Sequence, residues 1–228
     1  MTYSWAKHSQ NRILLALNTD DQIALSNYLE PVTFAARTEL VIPNEPIRNV
    51  YFIEKGLVSV MAGARKGAVE VTSVGREGML GLPVILGQAQ TPFRARVQLP
   101  ITALRMNADD LRTVMATRPA VHAALISYAH AVLVEIADTA FSACSLTIVQ
   151  RLARFLLKLS DRVGESDIPI THDYLGEALG CRRAGVTAAI HLLEGVHAVR
   201  SARKILTVTD RDKLLHLSRG HHESGASH

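Results

Sequence analysis

The residues of this 228-residue chain with the clearest chemical use lie between Thr171 and Lys204. Arg183, Ala184, Thr187, Ala188 and His191 recur at spacings of three and four, so a helix would gather them on one face. Val186, Ala189, Ile190 and Leu193 would form the other, apolar face. An Arg at such a position donates two hydrogen bonds to guanine, a Thr reaches a base or a phosphate, and Ala methyls meet a thymine methyl. Small Ala side chains also let the helix sink into a major groove. Arg182 just ahead, and Arg200, Arg203 and Lys204 beyond, are cations of the kind that hold phosphates and fix register rather than sequence.

Those side chains need a frame, and the flanking sequence supplies one. Thr171 is a good N-cap, and Asp173 suits the positive end of a helix dipole. Leu175 and Leu179 lie one turn apart, and Gly180 can end the helix in the left-handed conformation. A second helix is expected from about Arg182. VHAVRSARKILTVTD then reads as strand, basic turn and strand. Two short helices joined by a tight turn and followed by a basic hairpin make a winged helix-turn-helix. Taken alone, the stretch also fits a structural helical hairpin with an exposed basic turn.

Upstream, Asn11–Leu29 predicts two short helices, the second opened by a capping box over Thr19–Gln22. From Pro31 to about Asn107, runs such as NVYFIEKG, LVSVMAG, FRARVQL and ITALRM alternate at period two between Gly, Pro and Asn, with a hairpin tip at Gly63–Gly67. No crossover helix separates them, so they predict a β-roll rather than a parallel sheet. Ala108–Met115 predicts a short helix. After Pro119 a long one carries Val121, Leu125, Tyr128, Val132 and Ile136 in a narrow stripe, as expected of a seam between two copies; the same stripe also fits an ordinary core helix of a monomer. In a further helix over Thr147–Val163, Arg151, Arg154, Lys158 and Arg162 are expected to form a solvated face. The expected fold class is α+β: a β-roll sensor domain over 1–118, a dimerisation helix over 119–143, and a winged helix-turn-helix over 144–228.

Composition narrows the classes. A net charge of +4 permits a nucleic-acid partner without proving one. Cys144 and Cys181 stand far apart with no metal-binding spacing, and two free thiols in a reducing compartment are expected. The N-terminal MTYSWAKHSQ is polar, and no unbroken apolar run reaches the roughly 18–20 residues of a membrane span. A cytoplasmic protein with no membrane partner and no metal is therefore expected.

The order of elements resembles the cAMP receptor protein/FNR (Crp/Fnr) family of bacterial transcription regulators. The markers are Val50–Val60 (VYFIEKGLVSV), Gly78-Met-Leu-Gly81, Gln150-Arg-Leu-Ala-Arg154, Leu175-Gly176 and Leu179-Gly-Cys-Arg-Arg183. The resemblance implies a β-roll of the cyclic-nucleotide-binding type (a jelly roll), a homodimer on a palindromic double-stranded DNA site, and RNA polymerase as a partner. It also implies a nucleotide pocket over Gly81–Arg96, whose chemistry is missing. Leu82 stands where the family's ribose-binding Glu is needed, and Pro92 and Phe93 replace its phosphate-binding Arg-Ser pair. A buried phosphate without a cationic partner costs several kcal/mol. Control by cAMP is not expected.

Gly81, Leu82, Pro83, Pro92, Phe93 and Arg94 thus mark a degenerate effector pocket, either collapsed or lined by Leu82–Ile85 for an apolar effector. Arg94 and Arg96 lie close enough to meet a phosphate from a shifted angle, but alternation favours an outward, solvated pair. The iron–sulfur cluster of the oxygen-sensing branch is excluded, because no Cys precedes Cys144. His122 and His130 leave haem open. In the recognition helix Ala184 and Ala188 replace family side chains that read bases, so a different operator is expected. An effector-binding roll acting through a protein partner is the alternative class. A roll-type enzyme is not expected, since no His lies between His8 and His122 to build a metal cluster.

Overall fold

The computed structural model of the chain describes residues 9–63 and 67–219. The tip residues 64–66 and the first eight residues, over which the hairpin turn and the polar N-terminus are expected, lie outside them. Two compact units divide the chain: one takes residues 1–63 and 71–136, the other 64–70 and 137–228, so they part within one long helix between Ile136 and Ala137, ahead of the boundary expected at 143/144.

The first unit opens with α1 (Arg12–Leu15) and α2 (Thr19–Ser26). Asn11 caps α1 and is wholly buried; its Oδ1 accepts from the amides of Ile13 and Leu14. Its Nδ2 donates to the carbonyls of Ile53 (2.8 Å) and Gly78 (2.7 Å). One side chain thus ties the first helix to two other backbone segments, since buried carbonyls left unpaired would be costly. The cap of α2 is Asn18, whose Oδ1 accepts from Asp21 N at 2.9 Å. Gln22 instead donates to the carbonyls of Leu14 and Leu17, so the box expected from Thr19 does not form and the cap sits one residue earlier, on a stronger capping type.

The strands are β1 (Glu30–Phe34), β2 (Glu39–Val41), β3 (Asn49–Ala62), β4 (Val69–Val74), β5 (Met79–Leu80) and, after the short helix α3 (Leu82–Ile85), β6 (Arg94–Asn107). They form one sheet of order β1-β6-β3-β4, with β2 on β6 and β5 on β3. β3 and β6 run antiparallel, with Tyr51 opposite Arg105 and Val58 opposite Val97. Each is a single 14-residue strand where the sequence predicts two. The register shifts around Lys55–Leu57, so the strand bends without ending. Gly56 sits there at φ +89°, and a Cβ on it would collide with the Pro100 carbonyl. Phe52, Ile53, Leu57, Ile101 and Met106 fill the core beneath.

After α4 (Ala108–Thr117) comes α5, Pro119–Ser145. Here the structure corrects the sequence reading. Val121, Leu125 and Val132 are buried within their own chain, with Tyr128 and Ile136 half-buried on the same face. The stripe expected to meet a second copy is occupied by the roll. The large apolar side chains that α5 leaves exposed are Ile126, Leu133, Val134 and Phe141. Among the described residues α5 is also the one helix long and apolar enough to cross a membrane by length and composition. An unbroken-run criterion passes over it, because Glu135 and Asp138 interrupt the run without making the helix polar.

The second unit comprises α6 (Ile148–Val163), β7 (Asp167–Ile168), α7 (His172–Leu179), α8 (Arg183–Gly195), β8 (Val199–Ala202), β9 (Ile205–Val208) and α9 (Arg211–Ser218). Thr147 and Gln150 form a capping box at the start of α6, and Leu152, Leu156 and Leu159 are buried. The cations of α6 are not simply solvated. Arg154 Nη1 and Lys158 Nζ each reach the Asp138 carboxylate at 2.8 Å, and Arg154 Nε donates to the Ser218 carbonyl at 3.0 Å. Arg151 donates to the carbonyl of Leu179. Burial works against the charge of Asp138, but Lys158 and Arg154 outweigh it and hold the carboxyl below the usual carboxylate range. Helix α9 follows the last strand, where the sequence reading placed no element.

Candidate nucleic-acid interface

Thr171 is exposed, but its hydroxyl accepts from Tyr174 N at 3.2 Å and so caps α7. Tyr174 packs edge-on against Phe155 of α6, with ring centroids 6.0 Å apart, which seats α7. Gly180 ends that helix at φ +59°, the left-handed turn expected from its type. Arg182 is the N-cap of α8, and Val186, Ala189, Ile190 and Leu193 are buried beneath it. The opposite face is presented as the spacing predicts: Arg182, Arg183, Ala184, Ala188 and His191 are exposed. Arg183 Nη1 lies 3.3 Å from Asp173 Oδ1, both side chains being about two-thirds exposed (68% and 67%). Such a pair is weak in water and opens readily to a stronger acceptor.

Thr187 is half-buried, and its hydroxyl is not free. His172 Nδ1 lies 3.2 Å from Thr187 Oγ1, and its Nε2 lies 3.4 Å from Ser201 Oγ. Glu194 Oε1 accepts from Ser201 N at 2.8 Å, while its Oε2 lies 3.2 Å from His191 Nδ1. His172, Glu194 and Ser201 together brace α8 against β8, and sequence spacing passes over all three, because their partners belong to different elements.

β7, β9 and β8 form a three-stranded antiparallel sheet in that order. Arg200 projects from β8, and Arg203 and Lys204 occupy the turn between β8 and β9, all exposed. Lys204 takes φ +61° at the turn. Burial raises the Cys181 thiol pKa, with Arg151 opposing.

The roll holds a second candidate site. Gly81, Leu82, Pro83, Pro92, Phe93 and Arg94 all line one cavity of about 360 Å³. Its far wall is Tyr128, Val132 and Ile136 of α5, residues the sequence reading assigned to a seam. The pocket is therefore open rather than collapsed. Val84 and Ile85 are not part of it; both are buried in the core (1% and 5% exposed). Ala95 and Val97 point inward as alternation predicts, but Arg94 is not left to solvent: its Nε lies 3.4 Å from Glu39 Oε1. His122 and His130 are exposed on α5, and neither lines the cavity. No group of three or more His, Cys, Asp or Glu able to hold a metal occurs among the described residues.

Residues 31–118 match the family model of the cyclic nucleotide-binding domain, and residues 150–217 that of the Crp-like helix-turn-helix domain. Together the two take in more than half of the chain. The chain belongs to the Crp/Fnr family. Crp/Fnr proteins are transcription regulators with a DNA-binding helix-turn-helix, and this chain carries that domain after the cyclic nucleotide-binding domain. Solved structures agree on the fold. FixK2 from Bradyrhizobium japonicum superposes at a TM-score of 0.75 and 16% identity, covering 84% of this chain and 98% of its own. A crp/fnr-family transcriptional regulator from Eubacterium rectale gives 0.70 and 17%, covering 92% and 99%. A CRP/FNR-family regulator from Thermus thermophilus gives 0.66 and 22%, covering 83% and 98%. No curated protein matches the chain by sequence.

Proposed function

We propose that this chain acts as a homodimeric, sequence-specific DNA-binding transcription regulator on a palindromic site, without control by cAMP and without catalysis. The observation that carries it is the face of α8: Arg182, Arg183, Ala184, Ala188 and His191 exposed together over a fully buried apolar face. A helix so presented, with Arg203 and Lys204 at a wing tip, meets base edges with one element and phosphates with the other.

The homodimer rests on the outer face of α5. Ile126, His130, Leu133, Ala137, Ala140 and Cys144 follow one another at alternating steps of four and three, and all six are exposed. That is a heptad seam with no partner in a single chain. A second copy would cover Ile126 and Leu133, which are 42% and 63% exposed. The absence of cAMP control rests on the cavity wall, where Leu82, Pro92 and Phe93 offer neither an acceptor for ribose nor a cation for phosphate. By family, RNA polymerase is the further partner, met in the cytoplasm of a bacterial cell.

Titration of duplex affinity against salt tests the reading. With Arg200, Arg203 and Lys204 of two chains on phosphates, log K should fall against log salt with a slope of roughly −5. A flat dependence, or no duplex binding, would overturn it.

A further inference from the structure

The geometry of the roll points to a ligand class. We propose that the cavity binds one uncharged, mainly hydrocarbon small molecule per chain. This deepens the reading of the roll as an effector domain without cyclic-nucleotide chemistry, and rests on it. The volume of about 360 Å³ lies in the range of small-molecule sites, about 300–1,000 Å³. Leu82, Leu86, Phe93, Val132 and Ile136 give it an apolar wall.

Besides Thr91, Gln88 and Gln90, the polar side chains on that wall are Thr72, Arg94 and Tyr128. The Tyr128 hydroxyl donates to the Met79 carbonyl at 2.9 Å, and Thr72 Oγ1 lies 3.2 Å from Glu135 Oε1. Both are engaged within the protein. Arg94 differs. Its Nε is buried and makes no hydrogen bond, although the Glu39 carboxylate lies at ion-pair distance. Glu39 balances the charge of Arg94, so an anion entering the cavity would lose its water without gaining a free cation. An uncharged molecule incurs no such cost. The same helix lines the cavity with Tyr128, Val132 and Ile136 and bears Ile126 and Leu133 on its outer face, so occupancy bears directly on the helix proposed to pair two copies.

The test uses the full chain and the uncharged fluorophore N-phenyl-1-naphthylamine, followed by emission, with 2-decanone, decanoate and cAMP as competitors. One probe should bind per chain, and 2-decanone should displace it at concentrations roughly tenfold or more below those needed for decanoate. cAMP should not displace it. Val60 also lines the cavity, and Val60→Phe, which fills the space, should lower probe affinity roughly tenfold or more, as should Leu82→Glu, which brings in a carboxylate. Thermal unfolding followed by circular dichroism identifies which variants are folded. Decanoate matching 2-decanone, displacement by cAMP, or undiminished binding by a folded variant would each overturn the proposal. A chain that binds no probe but still binds duplex through Arg183 sinks the cavity proposal alone. One that binds the probe but no duplex sinks the regulator reading instead.

Discussion

Arg183 stands at the first turn of α8 with only an exposed carboxylate, Asp173, to hold it. A guanine edge offers two acceptors in one plane, which a solvated pair does not match. Arg183→Ala should therefore cost roughly 1–3 kcal/mol on a cognate duplex and relax the preference at one base position. Arg203→Ala should weaken all duplexes alike and reduce the salt slope by about 1 per chain. Anisotropy titrations on cognate and scrambled duplexes separate the two, and equal losses on both by both variants would contradict the division of roles. These residues are legible in the sequence because exposure of one helix face follows from burial of the other. His172 and Glu194 are not, since a brace between α7, α8 and β8 depends on side chains 15 and 29 residues from His172 meeting in space.

Among the elements, the helix-turn-helix and wing are read correctly from caps, periodicity and Gly180, whereas β3 and β6 are read as four strands. Gly56 and Pro100 carry turn-like types, yet they face each other across a bend. The two apolar stripes of α5 explain the misassigned seam. Val121 and Leu125 belong to the stripe with the larger apolar side chains, but the roll takes them, and a sequence cannot state which stripe is covered first. The charged face of α6 is misread for a similar reason, because its partner Asp138 belongs to the preceding helix. Asp138 is 37% exposed, so the tie is screened and contributes about 0.5–1 kcal/mol. Since Asp138 is held below its ordinary range, its contribution is present at neutral pH and lost as pH falls through that lowered value. Asp138→Asn should therefore be less stable at pH 7 and at pH 5, with the gap closing below about pH 4. Urea unfolding across that range measures it, and a gap that widens in acid would refute the account.

For the molecule as a whole, two copies must present α8 to one duplex. Leu133→Glu sets like charges across the proposed seam and should give a monomer by sedimentation. Its affinity for a two-half-site duplex should fall on the order of 100-fold, with binding to a single half-site unchanged. Leu125→Ala acts on the buried stripe and should cost about 2–5 kcal/mol of stability while leaving a dimer. The reverse pattern would return the seam to the inner stripe. The central claim, that α8 reads DNA twice per assembly, is met most directly by selecting bound fragments from random duplexes with the intact chain and with Arg183→Ala. The account predicts enriched sites of two-fold symmetry, with half-sites centred about 10–10.5 base pairs apart, and one base pair of each half-site losing its preference in the variant. No enrichment, or a single unsymmetrical site unaffected by the substitution, would contradict it.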